Sequence, residues 1–139
     1  MTSASPKPVL FLDDEATYLD MMVQLLSVHL NCRICAYTRP DEALAALPSV
    51  SPAMVVTDYN MPTMTGIEFL QQAHAMMPGL AAIMITGHRI EFEDVDLSQV
   101  PGLRATLFKP LRARTVAAQI VAHWPDENPP VLRDEPALT

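Results

Sequence analysis

The chain has 139 residues, 50% of them hydrophobic and 18% charged, the composition of about one globular domain and not of a disordered or fibrous chain. At that length a real core can be buried without disulfides or a structural metal. A formal charge of -7, with nine basic residues scattered and not striped, argues against direct DNA binding, because phosphate backbones attract Lys/Arg faces and repel this one.

No apolar run approaches bilayer-spanning length, and the opening Met-Thr-Ser-Ala-Ser-Pro-Lys has no apolar signal region. A cytoplasmic location with no membrane partner is expected.

Five short apolar runs alternate with helical patterns along the chain. The runs are Val9 to Leu12, Cys32 to Tyr37, Ala53 to Thr57, Leu80 to Ile85 and Leu103 to Phe108. The first, third and fourth are nearly continuous in apolar residues, as strands covered on both faces should be. Between the first two runs, Leu19, Met22, Val23, Leu26 and Leu30 recur at helical spacing. Thr65-Gly66-Ile67-Glu68 fits a capping box opening the third helix. The fourth helical segment, Arg89 to Gly102, is rich in acidic and β-branched residues and ends at Pro101-Gly102, so a short or fraying helix is expected there. Ala117, Ile120, Val121 and Trp124 form one stripe on the last helix. Strands alternating with helices imply βαβ units, an α/β fold and a parallel sheet with right-handed crossovers. One domain over residues 7–124 is expected, flanked by a flexible N-terminus, 1–6, and a Pro-rich acidic tail, 125–139, that buries little.

Cys32 and Cys35 have C-x-x-C spacing. A zinc site would need two further ligands and a redox pair a helix N-terminus, yet the surrounding residues read as a strand. Two reduced, buried thiols are expected. Methionines on the helices are expected to fill core or rim, and His29, His74 and His123 to lie at the surface or rim.

In open parallel α/β sheets, ligands bind outside the carboxyl ends of the strands. The first run ends in Asp13-Asp14-Glu15 and the third in Asp58, followed by Tyr59-Asn60-Met61-Pro62 and Gly66. The fourth ends in Thr86-Gly87 and the fifth in Lys109-Pro110. Each alone is an ordinary turn or capping residue. Together they bring carboxylates from two neighbouring strands, a hydroxyl and an amine to one rim. Clustered carboxylates repel, so at least one pKa should rise unless a cation is present. Mg²⁺, a hard cation favouring oxygen ligands, resolves that conflict, and Lys109 suits a phosphate oxygen.

This set of residues resembles the response-regulator receiver domain of two-component signalling systems over about residues 7 to 124. The resemblance implies a doubly wound, five-stranded parallel sheet in the flavodoxin-like order 2-1-3-4-5. It implies that Asp58 accepts a phosphoryl group from a phosphohistidine, or from a small acyl or amido phosphate, in a phosphorelay, after which the domain changes conformation. It further implies that Asp13, Asp14, the Asp58 side chain and the Asn60 carbonyl hold Mg²⁺, and that Lys109 and Thr86 contact the phosphoryl oxygens. A cis Lys109-Pro110 bond is implied as well. Such a domain is a signalling module that catalyses only its own phosphorylation and dephosphorylation. Its partners would be a sensor histidine kinase or phosphotransfer protein and a downstream effector, with a homodimer through the last helices as a further candidate. The family usually carries Tyr or Phe three residues before the conserved Lys, where this chain has Thr106. Output is therefore expected to run through the 87–102 loop and weak fourth helix. His88, two residues past Thr86, is a candidate for tuning the phosphoryl lifetime, with a plain solvated histidine as the alternative.

Two rivals remain. Asp13-Asp14-Glu15-Ala16-Thr17 resembles, imperfectly, the D-x-D-x-T motif of haloacid-dehalogenase-type phosphatases, with Glu15 in place of the second Asp and no use for Asp58. The other is a binding module of receiver fold that no longer uses phosphate, against which stands the complete residue set.

Overall fold

In the computed structural model, which describes residues 5–87 and 96–133, the alternation of runs and helices becomes one sheet and its covering layers. The elements are β1 (Val9–Leu12), α1 (Ala16–His29), β2 (Ile34–Tyr37), α2 (Pro40–Val50), β3 (Met54–Asp58), α3 (Gly66–Met76), β4 (Ala81–Thr86), β5 (Leu103–Phe108) and α4 (Ala113–Ala122). The strands are parallel and lie in the order β2-β1-β3-β4-β5, as expected.

Side-chain alternation along the strands feeds two cores. On one face Val9, Phe11, Val56, Ile83 and Ile85 pack against Leu19, Met22 and Leu26 of α1 and Val116, Ala117 and Ile120 of α4. On the other, Leu10, Leu12, Val55 and Ala82 pack against Ala43 and Leu47 of α2 and Phe69, Leu70 and Ala73 of α3. The three central strands are buried throughout, which is why they read as continuous apolar runs. The edge strands β2 and β5 are only half-buried.

Register places the strand ends. Leu12 lies level with Thr57, Asp58 with Ile85, and Thr86 with Phe108. The chain turns one way from β1 to β2 and the other way from β1 to β3, so the crevice at this switch point opens above the carboxyl ends of β1 and β3. α3 starts close to that rim. Its capping box forms as expected, Thr65 accepting from the Glu68 N–H at 3.2 Å and Glu68 from the Thr65 N–H at 3.1 Å.

Several local expectations are corrected. Residues 88–95, with His88 and most of the expected fourth helix, lie outside the described residues; from 96 to 102 the backbone forms one 3-10 turn, Leu97–Gln99, capped by Asp96. Cys32 falls in a bend before β2, not within it; both thiols are free and neither is fully buried. Burial nevertheless pushes the Cys32 thiol up to about 11. His29 is 3% exposed, not a rim residue, and its Nδ1 lies 3.1 Å from the Arg133 carbonyl oxygen.

That contact belongs to a strap. Within the tail expected to bury little, residues 131–133 fold back over the end of α1, the Val131 N–H donating to Asn31 Oδ1 at 2.6 Å. Leu132 bridges Leu30 antiparallel, and the Arg133 N–H donates to the His29 carbonyl at 2.7 Å. The Arg133 guanidinium donates to the Ser27 and Leu30 carbonyls at 3.2 and 2.9 Å, satisfying acceptors that a helix end leaves open.

Gly102, entering β5, has φ +73, and an added Cβ there would collide with the Leu80 carbonyl. Gly102→Ala should lower the unfolding free energy by about 2 kcal/mol or more, combining left-handed strain with the clash. Gly79→Ala, where an added methyl meets nothing within 4 Å, should stay within about 1 kcal/mol of the parent in the same urea titration.

Candidate functional site

The acidic pair leaves β1 where the chain turns into α1. Asp13 is 1% exposed. Its backbone N–H is held by the Tyr37 carbonyl at 3.1 Å, and its Oδ1 accepts from the Glu15 N–H at 2.9 Å. Asp14 is exposed beside it. Asp58, the last residue of β3, is 8% exposed. Its Oδ1 accepts from the Tyr59 N–H at 3.0 Å, and that N–H also reaches the Ile85 carbonyl at 2.9 Å. One carboxylate oxygen from each of Asp13, Asp14 and Asp58 lies within 4.8 Å of the others.

The loop after Asp58 is drawn tight. The Gly66 N–H donates to the Tyr59 carbonyl at 2.8 Å, and a Cβ at Gly66 would sit 2.5 Å from the Asp58 carbonyl oxygen. Glycine lets α3 begin against the strand end, with exposed Asn60 in the intervening turn.

From the opposite side Lys109 enters. Its Nζ stands 3.4 Å from Asp13 Oδ2 and 3.8 Å from Asp58 Oδ2. The Lys109-Pro110 bond is cis. The Lys109 N–H donates to the Thr86 carbonyl at 2.8 Å, tying the ends of β4 and β5 together. Thr86 is 1% exposed. Thr106 is half-buried on β5, level with Met84.

The charges are mutually dependent. Burial raises the Asp58 carboxyl to about 6, against the pull of Lys109 and the Tyr59 N–H, and the neighbouring acids add to the rise. Burial likewise raises Asp13, with the Glu15 N–H and Lys109 opposing it. For Lys109, burial disfavours the ammonium, but the Asp13 and Asp58 carboxylates outweigh it and hold the group above its usual range. Three carboxylates against one ammonium leave the pocket short of positive charge. Hard, closely spaced oxygens in that condition fit a divalent cation such as Mg²⁺, which takes one or two carboxylates and retains waters.

Of the residues singled out in the sequence, Asp13, Asp14, Asp58 and Lys109 are brought together directly and Thr86 is linked to Lys109 through the backbone, while Asn60 lies exposed in the turn that follows Asp58. One neighbour was missed. Tyr18, in the first turn of α1, lies with its ring centroid 4.5 Å from Lys109 Nζ. The available signal was an aromatic residue one helical turn past the acidic pair.

The profile of the response regulator receiver domain family matches residues 9–121. The chain belongs to that family. It is 31% identical over 87 residues to the hydrogenase transcriptional regulatory protein HoxA of Cupriavidus necator, a match covering 63% of this chain and 17% of the regulator. It is 27% identical over 150 aligned positions to the protein-glutamate methylesterase/protein-glutamine glutaminase of Salmonella typhimurium, covering 94% of this chain and 43% of the relative. The chain thus spans less than half the length of these curated relatives. Among solved structures, a CheY-like receiver domain protein from Methanospirillum hungatei superposes with TM-score 0.71 at 28% identity, covering 84% of this chain and 91% of that one. A receiver domain protein from Clostridium thermocellum gives 0.74 at 26% identity, with coverage of 84% and 92%. This is a receiver domain of a two-component response regulator, and no helix among its described residues is long and apolar enough to cross a membrane.

The raised Asp58 carboxyl has a consequence for stability. In the folded receiver it holds its proton to about pH 6, in the unfolded chain only to about 3.8. The folded state therefore binds the extra proton between those values, stability falls as pH rises through that window, and the penalty is complete above it. In metal-free buffer with chelator, Asp58→Asn should raise the unfolding free energy at pH 7.5 by on the order of 1–3 kcal/mol, a gain that vanishes below about pH 4. Equal stability of the two proteins at both pH values in urea titrations contradicts this.

Proposed function

We propose that this receiver takes a phosphoryl group onto Asp58 from a phosphohistidine on a sensor histidine kinase or phosphotransfer protein, or from a small acyl or amido phosphate. One observation carries the reading: the buried Asp58 carboxylate shares its pocket with two further carboxylates and the Lys109 ammonium, all at the sheet's switch point.

The chain's residues divide the work. The Tyr59 N–H holds Asp58 Oδ1, orienting the carboxylate so that an oxygen can attack phosphorus in line as the bond from phosphorus to the donor breaks, to nitrogen in a phosphohistidine or amido phosphate and to oxygen in an acyl phosphate. Asp13, Asp14, the Asp58 side chain and the Asn60 carbonyl would hold Mg²⁺. Bound there, the cation supplies charge neutralisation for the phosphoryl oxygens. Lys109, already between Asp13 and Asp58, would pair with a phosphoryl oxygen, and the Thr86 hydroxyl would donate to another. The chemistry is positioning and charge compensation, and the domain catalyses only its own phosphorylation and dephosphorylation.

The partners follow from this role: a cytoplasmic phosphodonor protein on the input side and an effector on the output side. The matched relatives are named as transcriptional regulators and as a methylesterase, so the effector of this receiver is left to its own partners, with direct DNA contact by the acidic domain disfavoured. Thr106 is too short and stiff to swing between two pockets, which leaves the Thr86 side of the site to start any conformational response.

Incubation with Mg²⁺ and phosphoramidate should add one phosphoryl group to the intact protein, read by mass spectrometry. Asp58→Asn should abolish the addition, and chelator should suppress it by at least about tenfold, as expected when the charge-neutralising cation is withheld. Asp13→Asn should retain acceptance at a reduced rate. Loss of the adduct in Asp13→Asn with persistence in Asp58→Asn would make Asp13 the nucleophile and favour the phosphatase-like alternative.

A further inference from the structure

The ammonium of Lys109 has a neighbour besides the two carboxylates. Its Nζ lies 4.5 Å from the centroid of the Tyr18 ring, inside the range in which a cation is attracted to an aromatic face. Tyr18 stands in the first turn of α1, beside the acidic pair, and its ring packs against the apolar cluster with Leu107 and Leu111 on either side of Lys109 in sequence. Lys109 is thus bounded by Asp13, Asp58 and the ring, with only a quarter of its side chain exposed.

The phenol oxygen does not explain the ring's place. Among the described residues Tyr18 Oη is buried with no hydrogen-bond partner. A buried hydroxyl of this kind costs stability, so a residue chosen for packing alone would be better as Phe or Leu at this point. What Tyr18 offers Lys109 is the negative face of its ring.

We propose that Tyr18 is a positioning residue for Lys109: its ring face holds the ammonium in the pocket, pointed between Asp13 and Asp58, where an incoming phosphoryl oxygen meets it. A lysine on four rotatable bonds otherwise has water to turn to. By restricting it, the ring lowers the ordering that Lys109 must undergo in the phosphoryl-transfer step. This rests on the proposed role of Asp58 and Lys109, and it predicts a dependence on the ring that is separate from that role.

The experiment uses Tyr18→Phe, Tyr18→Leu, Lys109→Met and the double variant Tyr18→Leu/Lys109→Met, each confirmed folded by circular dichroism. The rate of phosphoryl incorporation from phosphoramidate at saturating Mg²⁺ is the first readout. Tyr18→Phe should match the parent. Tyr18→Leu should be slower by roughly three- to tenfold, the range of a partly buried cation–π contact. Lys109→Met keeps the nucleophile and the metal-binding oxygens, so its residual rate can be measured, and adding Tyr18→Leu should slow it no further.

The second readout needs no phosphoryl transfer. The ε-methylene protons of Lys109, near the ring, should show an upfield ring-current displacement in ¹H–¹³C spectra of the parent and Tyr18→Phe, lost in Tyr18→Leu. If the parent takes up no phosphoryl group, the phosphoacceptor role fails and these resonances alone decide the Tyr18–Lys109 contact. Unchanged resonances in Tyr18→Leu overturn the proposal. So does an undiminished rate in Tyr18→Leu, or the same loss with and without Lys109.

Discussion

The burial of closely spaced carboxylates that the fold forces together, with their mutual repulsion adding to it, governs this molecule. Asp13 and Asp58 are nearly inaccessible, their oxygens and one from Asp14 lie within 4.8 Å, and burial raises both inner carboxyls. No arrangement of a small core gains from such a cluster. It persists because the backbone around it is over-determined: the Glu15 and Tyr59 N–H groups fix one oxygen of each buried acid, and Gly66 packs the start of α3 against the Asp58 carbonyl. Lys109 offsets part of the charge, and the remainder is what the proposed Mg²⁺ would neutralise.

The sheet makes that cluster possible without making it specific. Five parallel strands covered on both faces place all their carboxyl ends on one rim, and the order β2-β1-β3-β4-β5 puts β1 and β3 side by side at the reversal. Register then sets Asp13 beside Asp58, because Leu12 pairs with Thr57. A one-residue slip of either strand would exchange its buried faces and move its acid away from the cluster. The two apolar cores that forbid such a slip are therefore also what holds the chemistry in place.

Much of this was legible because strand-end residues announce themselves. A continuous apolar run followed by Asp, Thr-Gly or Lys-Pro marks both the strand and the rim, so Asp13, Asp14, Asp58, Thr86 and Lys109 could be named from the chain alone, as could the capping box at Thr65. What could not be read depends on contacts between distant segments. Arg133 reaches carbonyls more than a hundred residues earlier, so a Pro-rich acidic composition gave no sign that residues 131–133 strap the end of α1. The same strap is why His29 is buried when its helical position suggested a rim. Cys32 looked like strand because it opens the strand-like stretch two residues before the point where pairing with β1 begins, at Ile34. Tyr18 carried only a weak mark, an aromatic one helical turn past the acidic pair, which is ordinary until the lysine that follows β5 is found above it.

Thr106 and Tyr18 bear on one question, how a change at Asp58 is felt elsewhere. A threonine on β5 cannot carry a large displacement, since a β-branched side chain has few rotamers and little surface to move. Tyr18 is no substitute: it belongs to α1, half-buried against the core beside Lys109, and it restrains where a swinging ring would travel. The connection that can transmit is shorter. The Lys109 N–H is bonded to the Thr86 carbonyl at 2.8 Å, so the two strand ends whose side chains would grip a phosphoryl group are already one backbone unit. A pull on the Lys109 ammonium or on the Thr86 hydroxyl therefore displaces both, and with them the peptide entering Gly87. In a receiver with Thr106 on β5, a response to the proposed phosphoryl group on Asp58 would start in the main chain at the ends of β4 and β5.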